Sequence, residues 1–112
     1  MPRVAYLGPE GTFTEAALWQ MVAAGALPTD EVALMPTDSP TAALDAVRGG
    51  GADFACVPFE NSIEGSVLPT LDGLATGEPL RVYAEHTLDV AFSIVVRPGT
   101  TAADVRTVAA FP

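Results

Sequence analysis

Residues 4–17 read VAYLGPEGTFTEAA, and they decide the fold class. Val4, Ala5, Tyr6 and Leu7 form a short apolar run with the pattern of a buried strand. Gly8-Pro9-Glu10-Gly11 stops it in a tight turn. Thr12 and Glu15 then have the spacing of a capping box. The Thr12 hydroxyl is placed to accept from the Glu15 amide, and the Glu15 carboxylate to reach back to the Thr12 amide. A helix is expected next, with Phe13, Ala17, Met21 and Ala24 on one face, Leu18 and Val22 beside it, and Gly25 as its stop. A buried strand that turns directly into a capped helix is the repeating unit of a parallel sheet.

The unit recurs along the chain. Residues 31–36 hold a second short strand over Val32, Ala33, Leu34 and Met35. Ser39 is the expected N-cap of the next helix and Pro40 its first residue. Ala43, Leu44 and Val47 supply its apolar face, and the glycines at 49–51 end it. A third strand is expected over residues 53–57, and it runs into 57-VPFENSIEGSV-67. Residues 66–74 read as helix, with Pro69 tolerated in the first turn. From residue 80 the pattern changes. Residues 81–84 and 90–96 are β-rich with no helix between them, 101–105 suit a short helix or turn, and 107–110 suit another strand. The expectation is an α/β fold with a mostly parallel sheet flanked by helices over residues 1–78. Residues 79–112 begin something different.

Composition narrows the function. The chain has 112 residues, the size of one modest domain, and a globular balance of apolar and charged residues. Its net charge is −9 with no lysine, and Arg3, Arg48, Arg81, Arg97 and Arg106 are scattered. A nucleic-acid binder needs a basic stripe to neutralise phosphates, so that class is disfavoured, as is an anionic membrane surface. The single cysteine, Cys56, lies in an apolar run and reads as a small buried hydrophobe. The N-terminus lacks the apolar stretch of a signal peptide, and no segment approaches a membrane span. A soluble cytoplasmic protein is expected.

In an open parallel sheet, ligands bind at the carboxyl ends of the strands, against helix N-termini that favour anions. Two polar loops fall at that edge. One spans residues 8–14, after the first strand, and the other spans 60–66, after the third. The first is no phosphate loop, because it has neither Gly-Lys-Ser/Thr nor G-x-G-x-x-G. Asn61 and Ser62 in the second can both donate and accept hydrogen bonds. By residue type alone, the glycines of the first loop are as well explained by a tight turn, and Asn-Ser after a strand is most often a turn with a capping residue. His86 has no cysteine or second histidine nearby to make a metal site. Trp19 reads as core or its rim, and Glu10, Glu15, Asp38 and Asp89 as solvated or capping charges.

Together the two loops are more specific. Residues 6–17, YLGPEGTFTEAA, closely resemble the start of the prephenate dehydratase family, and residues 57–67 resemble its second signature, built around Glu-Asn-Ser. Thr70-Leu71-Asp72 and the β-rich residues 81–96 also fit, so the resemblance covers the whole chain in order and spacing. It implies a lyase that converts prephenate to phenylpyruvate, with loss of carbon dioxide and water, in phenylalanine biosynthesis. It also implies a two-lobed fold like the type II periplasmic binding proteins, with the active site in the cleft. Homo-oligomers are usual in the family, and no cofactor or metal is required.

The same resemblance marks differences. The family's Thr-Arg-Phe signature does not occur here, and Ala110-Phe111-Pro112 stands where the family often has Ser-His-Pro. Residues 1–78 are therefore expected to be the first lobe, and residues 79–112 the hinge strands and the incomplete start of the second. The chain alone is expected to be inactive and to expose an apolar face where the second lobe would pack. Asn61 and Ser62 become the candidates that hydrogen-bond the substrate. Amides near Gly65 and Ser66 would help hold a carboxylate, and Thr12, Phe13 and Thr14 would form the adjoining wall. Glu60 either positions Asn61 or, protonated, serves as a donor, and positioning is the favoured role. The alternative function is a non-catalytic lobe that binds a small carboxylate. A purely structural α/β domain is a third reading, and it leaves the clustered polar loops unexplained.

Overall fold

Three parallel strands carry the molecule in a computed structural model that describes residues 1–63 and 65–110. The elements follow in order as β1 (Arg3–Leu7), α1 (Phe13–Ala23), β2 (Ala33–Thr37), α2 (Pro40–Arg48), β3 (Phe54–Cys56), β4 (Glu60–Asn61), β5 (Gly65–Ser66) and α3 (Leu68–Ala75). A single turn of 3-10 helix, Ala102–Asp104, comes later. The main sheet has the order β2-β1-β3, with Tyr6 opposite Pro36 on one side and Cys56 on the other. This is the α/β architecture that the repeated strand–turn–helix pattern predicts.

Alternation along β1 divides the core between the two faces of the sheet. Val4 and Tyr6 pack with Leu18 and Val22 of α1 and with Cys56. Ala5 faces the other way and packs with Ala43 of α2 and Ala52. Small side chains on that second face let α2 lie close to the strands. Cys56 is buried, as expected of a small hydrophobe, and burial pushes its thiol up to about 11. Ser39 caps α2 by accepting from the Ala42 amide, with Pro40 in the first turn, and Gly49 follows its last residue.

Several expectations need correction. Helix α1 buries Leu18 and Val22, while Phe13 and Ala24 are exposed. Apolar residues surround this helix almost completely, so its sequence does not fix which stripe meets the sheet. Of the two places expected for Trp19, the core is excluded, since the residue is 44% exposed. Helix α3 begins at Leu68, because Gly65 and Ser66 are taken by a hairpin with Glu60 and Asn61. Among the described residues, 81–96 and 107–110 form no strand. Their β-prone residues have no neighbouring strand with which to build a ladder, and propensity alone does not make one.

This later segment nevertheless has a path. Tyr83 packs its ring on Phe54 at the start of β3, with centroids 5.4 Å apart. His86 meets Gln20 midway along α1. Phe92 reaches Phe13 at the start of α1, edge to face at 6.1 Å. Residues 83–92 thus run from the amino edge of the sheet to its carboxyl edge. Phe92, Ile94 and Val95 are 80–86% exposed, so this segment carries exposed apolar side chains. The radius of gyration is 17.1 Å, against about 13 Å for a compact chain of this length, because this segment adds length without adding core. No helix among the described residues is long and apolar enough to cross a membrane. Glu64, Phe111 and Pro112 lie outside the described residues, and with them the comparison of Ala110-Phe111-Pro112 with Ser-His-Pro.

Candidate active site

Strands β1 and β3 are neighbours, so the two polar loops leave the same edge of the sheet about 5 Å apart. A contact from the Cys56 thiol to the Thr14 carbonyl, at 3.9 Å, ties the end of β3 to the first turn of α1. Thr12, Phe13 and Thr14 therefore stand beside the start of the segment that carries Glu60, Asn61 and Ser62.

The first loop is fastened by side chains. Thr12 is the N-cap of α1: its hydroxyl accepts from the Glu15 amide at 3.3 Å and donates to the Leu7 carbonyl at 3.0 Å. Glu15 departs from the expected capping box by one residue. Its carboxylate takes the Gly11 amide at 2.9 Å rather than that of Thr12, and it also accepts from the Tyr6 phenol and the Trp19 indole. Gly8 donates to the Thr37 carbonyl at 2.8 Å, and a Cβ there would come within 2.8 Å of the Pro36 Cβ, so only glycine fits. The Ala16 amide closes the first helical bond to Thr12. The amides of Phe13 and Thr14 are then the ones that the helix itself does not satisfy.

The second loop is a hairpin fastened by backbone. Val67 donates to the Phe59 carbonyl at 2.9 Å, Glu60 pairs with Ser66, and Asn61 pairs with Gly65. Because the Phe59–Val67 pair is hydrogen-bonded, the alternation of an antiparallel ladder makes Glu60–Ser66 the non-bonded pair. The Ser66 amide thus points out of the hairpin, while that of Gly65 faces Asn61. The pleat puts the Glu60 and Ser66 side chains together on one face and Asn61 on the other. Asn61 also shapes the turn, accepting from the Ile63 amide at 3.1 Å. Gly65 takes the left-handed conformation the turn requires, with φ +80. Beneath the hairpin, the fully buried Thr70 donates to the Pro58 carbonyl at 2.7 Å. Glu60, Asn61, Ser62 and Ser66 are exposed, Gly65 is half-buried, and Phe13 is exposed between flanking, half-buried Thr12 and Thr14.

A family model for prephenate dehydratase matches residues 4–112. The chain belongs to the prephenate dehydratase family. It is 70% identical, over its whole length, to 36% of the prephenate dehydratase of Mycobacterium tuberculosis. It is 69% identical, over 98% of its length, to 35% of the prephenate dehydratase of Mycobacterium leprae. It thus spans about a third of these relatives. A prephenate dehydratase of Arthrobacter aurescens, solved in complex with L-Phe, superposes on 71% of this chain and 24% of its own, with 48% identity and a TM-score of 0.59. The α/β lobe is accordingly of the periplasmic-binding-protein-like kind found in prephenate dehydratase structures.

The chain's net charge is −9, so an anion at this edge would need a local source of positive character. Arg3 and Arg48 do not supply it at this edge. Arg3 begins β1 and Arg48 ends α2, both at the amino end of the sheet. Arg48 is occupied there, donating to the carbonyls of Gly73, Thr76 and Glu78. Helix N-termini and outward-facing amides supply positive character at the carboxyl edge. A third loop at the same edge was not singled out by the sequence. Gly8, Pro9 and Glu10 border a cavity of about 460 Å³ with Pro36, Thr37 and Asp38. The order of the strands places it there, and no spacing in the sequence signals it.

Proposed function

We propose that the protein to which this chain belongs is a prephenate dehydratase. It takes up one proton and converts prephenate to phenylpyruvate, carbon dioxide and water. Residues 1–78 are the first lobe of a two-lobed cytoplasmic enzyme, and residues 79–112 are the hinge and the start of the second lobe. A homo-oligomer is the expected assembly. The observation that carries the reading is the adjacency of the two family signatures at the carboxyl edge of β1 and β3.

The chemistry suits such an edge. The ring hydroxyl of prephenate leaves with a proton supplied to it. The bond to the ring carboxylate breaks, its electron pair enters the ring, and the ring becomes aromatic. Aromatisation drives the step, so the protein's task is to hold the dianion, aid the departing hydroxyl and keep water out. The amides of Phe13, Thr14 and Ser66 and the Ser62 hydroxyl are the donors assigned to the carboxylates. Asn61 orients the substrate from the opposite face of the hairpin to Glu60. Glu60 keeps a positioning role because an ionised carboxylate at the dianion would repel it, but it acts on the face it shares with Ser66 rather than on Asn61, which lies on the opposite face.

The test is turnover of prephenate by the full-length protein, followed by phenylpyruvate absorbance. Conversion is expected. Binding of prephenate without conversion would support the alternative, a non-catalytic carboxylate-binding lobe. The isolated 112-residue chain is expected to give little or no product. Robust turnover by it would show that the family's Thr-Arg-Phe signature is dispensable or replaced.

A further inference from the structure

Glu15 takes no part in the reaction described above, yet three donors from different parts of the lobe converge on it. Its Oε2 accepts from the Gly11 amide at 2.9 Å and from the Tyr6 phenol at 3.0 Å, and its Oε1 accepts from the Trp19 indole at 3.3 Å. Tyr6 is 2% exposed, in the middle of the central strand, and is among the largest fully buried side chains of the described residues. Gly11 is exposed, at the crest of the loop that leads into the Thr12 cap. One carboxylate therefore joins the core to the crest of the loop. An ordinary capping box would have returned this carboxylate to the Thr12 amide and left Gly11 untied.

We infer that Glu15 is a positioning residue for the substrate: by clasping Gly11 to Tyr6 it sets the attitude of the loop that presents the Phe13 and Thr14 amides to a bound carboxylate. This rests on the functional reading above. A carboxylate so near a helix N-terminus would by itself compete with an anionic ligand. Glu15 is held to Gly11, Tyr6 and Trp19 instead, and the two first-turn amides are left to the ligand. A purely structural role predicts something different. Losing it would lower the melting temperature and the folded fraction, and the folded enzyme would keep its KM. Losing a positioning role weakens binding of substrate and transition state together and raises KM.

The experiment uses the full-length protein, with steady-state kinetics on prephenate and thermal melting run side by side. Glu15→Ala is expected to raise KM about tenfold, with kcat within about twofold of wild type. Glu15→Gln keeps one oxygen for Gly11 and Tyr6 and turns its amino group toward Trp19, whose exposed indole can bond to water instead. Its KM is expected to stay within about threefold of wild type. Tyr6→Phe removes the anchor in the core while the ring keeps its packing, and it is expected to raise KM about fivefold. That variant and Glu15→Gln carry the test if Glu15→Ala does not fold. A wild-type KM in folded Glu15→Ala or in Tyr6→Phe overturns the inference and leaves the functional reading intact. A wild-type enzyme that does not convert prephenate overturns the functional reading, and this inference falls with it.

Discussion

The loop at residues 8–12 and the hairpin at 60–66 leave neighbouring strands at one edge, and they are held in opposite ways. The loop is tied down by side chains. The Thr12 hydroxyl both accepts and donates, and Glu15 gathers three donors. The hairpin is tied down by backbone, through its ladder and the Val67 amide, with Thr70 bracing it from below. The difference decides what each can offer a ligand. Where side chains hold the fold, backbone amides are left to bind. Where backbone holds the fold, exposed side chains such as Ser62 and Ser66 are left. A dianion set between them would meet amides on one side and mostly side chains on the other.

The sharpest test of that division is Asn61, which belongs to both sides because its carbonyl oxygen also shapes the turn. In the full-length protein, Asn61→Ala is expected to lower kcat/KM by roughly ten- to a hundred-fold, the loss of a hydrogen bond to a charged group. Asn61→Asp keeps an oxygen for the Ile63 amide and should preserve the turn, yet it places a negative charge against the substrate. It is expected to lose at least as much activity while melting like wild type. If Asn61→Asp retains turnover, Asn61 serves the hairpin alone.

Next in size is Thr70→Val, which keeps the shape of the side chain and leaves the half-buried Pro58 carbonyl without its donor. A loss of about 1–2 kcal/mol in unfolding free energy is expected, with faster amide exchange in the hairpin than in the 8–12 loop. Equal acceleration in both loops would mean that they are not separately held. A smaller effect is expected from Gly65→Ala, which forces a Cβ into the left-handed region at φ +80. About 1 kcal/mol is the usual strain. Among the described residues nothing lies within 4 Å of the new Cβ, so a larger loss would show that the hairpin packs against something else.

The contrast between the loops also explains what could be read from the sequence. The strand–turn–helix units were legible because each carries its own punctuation: Thr12 with Glu15, Ser39 with Pro40, and the glycines at 25 and 49–51. The hairpin was not, because strands of two residues are too short to show alternation, and Ser66 looked like the start of a helix. Nor was the buried face of α1, since a helix apolar nearly all round has no preferred stripe until the sheet selects Leu18 and Val22. Residues 81–96 misled for a related reason. Their β-propensity describes a surface that suits a partner strand and does not supply the partner. At the site, the cluster of residue types was legible. The placement of Glu60 and Asn61 on opposite faces depends on a register that adjacent letters do not reveal.

The smallest expected effect concerns acid, and it separates the two loops most cleanly. The Gly11 amide, and after it the Tyr6 phenol, stabilise the Glu15 carboxylate and hold its pKa below the ordinary value. The partner shift has the opposite sign. Burial, and then the bond to Glu15, push the Tyr6 phenol above its usual range, so Tyr6 stays a donor throughout. Because the folded state prefers ionised Glu15, the clasp contributes fully above the unfolded glutamate pKa of about 4.3. Its contribution is lost only as pH falls from there through the lower folded value. The Gly11 amide resonance should therefore titrate with a midpoint below that of a free glutamate, and Glu15→Gln should abolish the step. Hairpin amides at Gly65 and Ser66 should not follow the same midpoint, since among the described residues no carboxylate clasps them to the core. A Gly11 midpoint at or above the free value would mean that the carboxylate is not held by these donors in solution, and the distinction between a loop fixed by side chains and a hairpin fixed by backbone would fail at its first member.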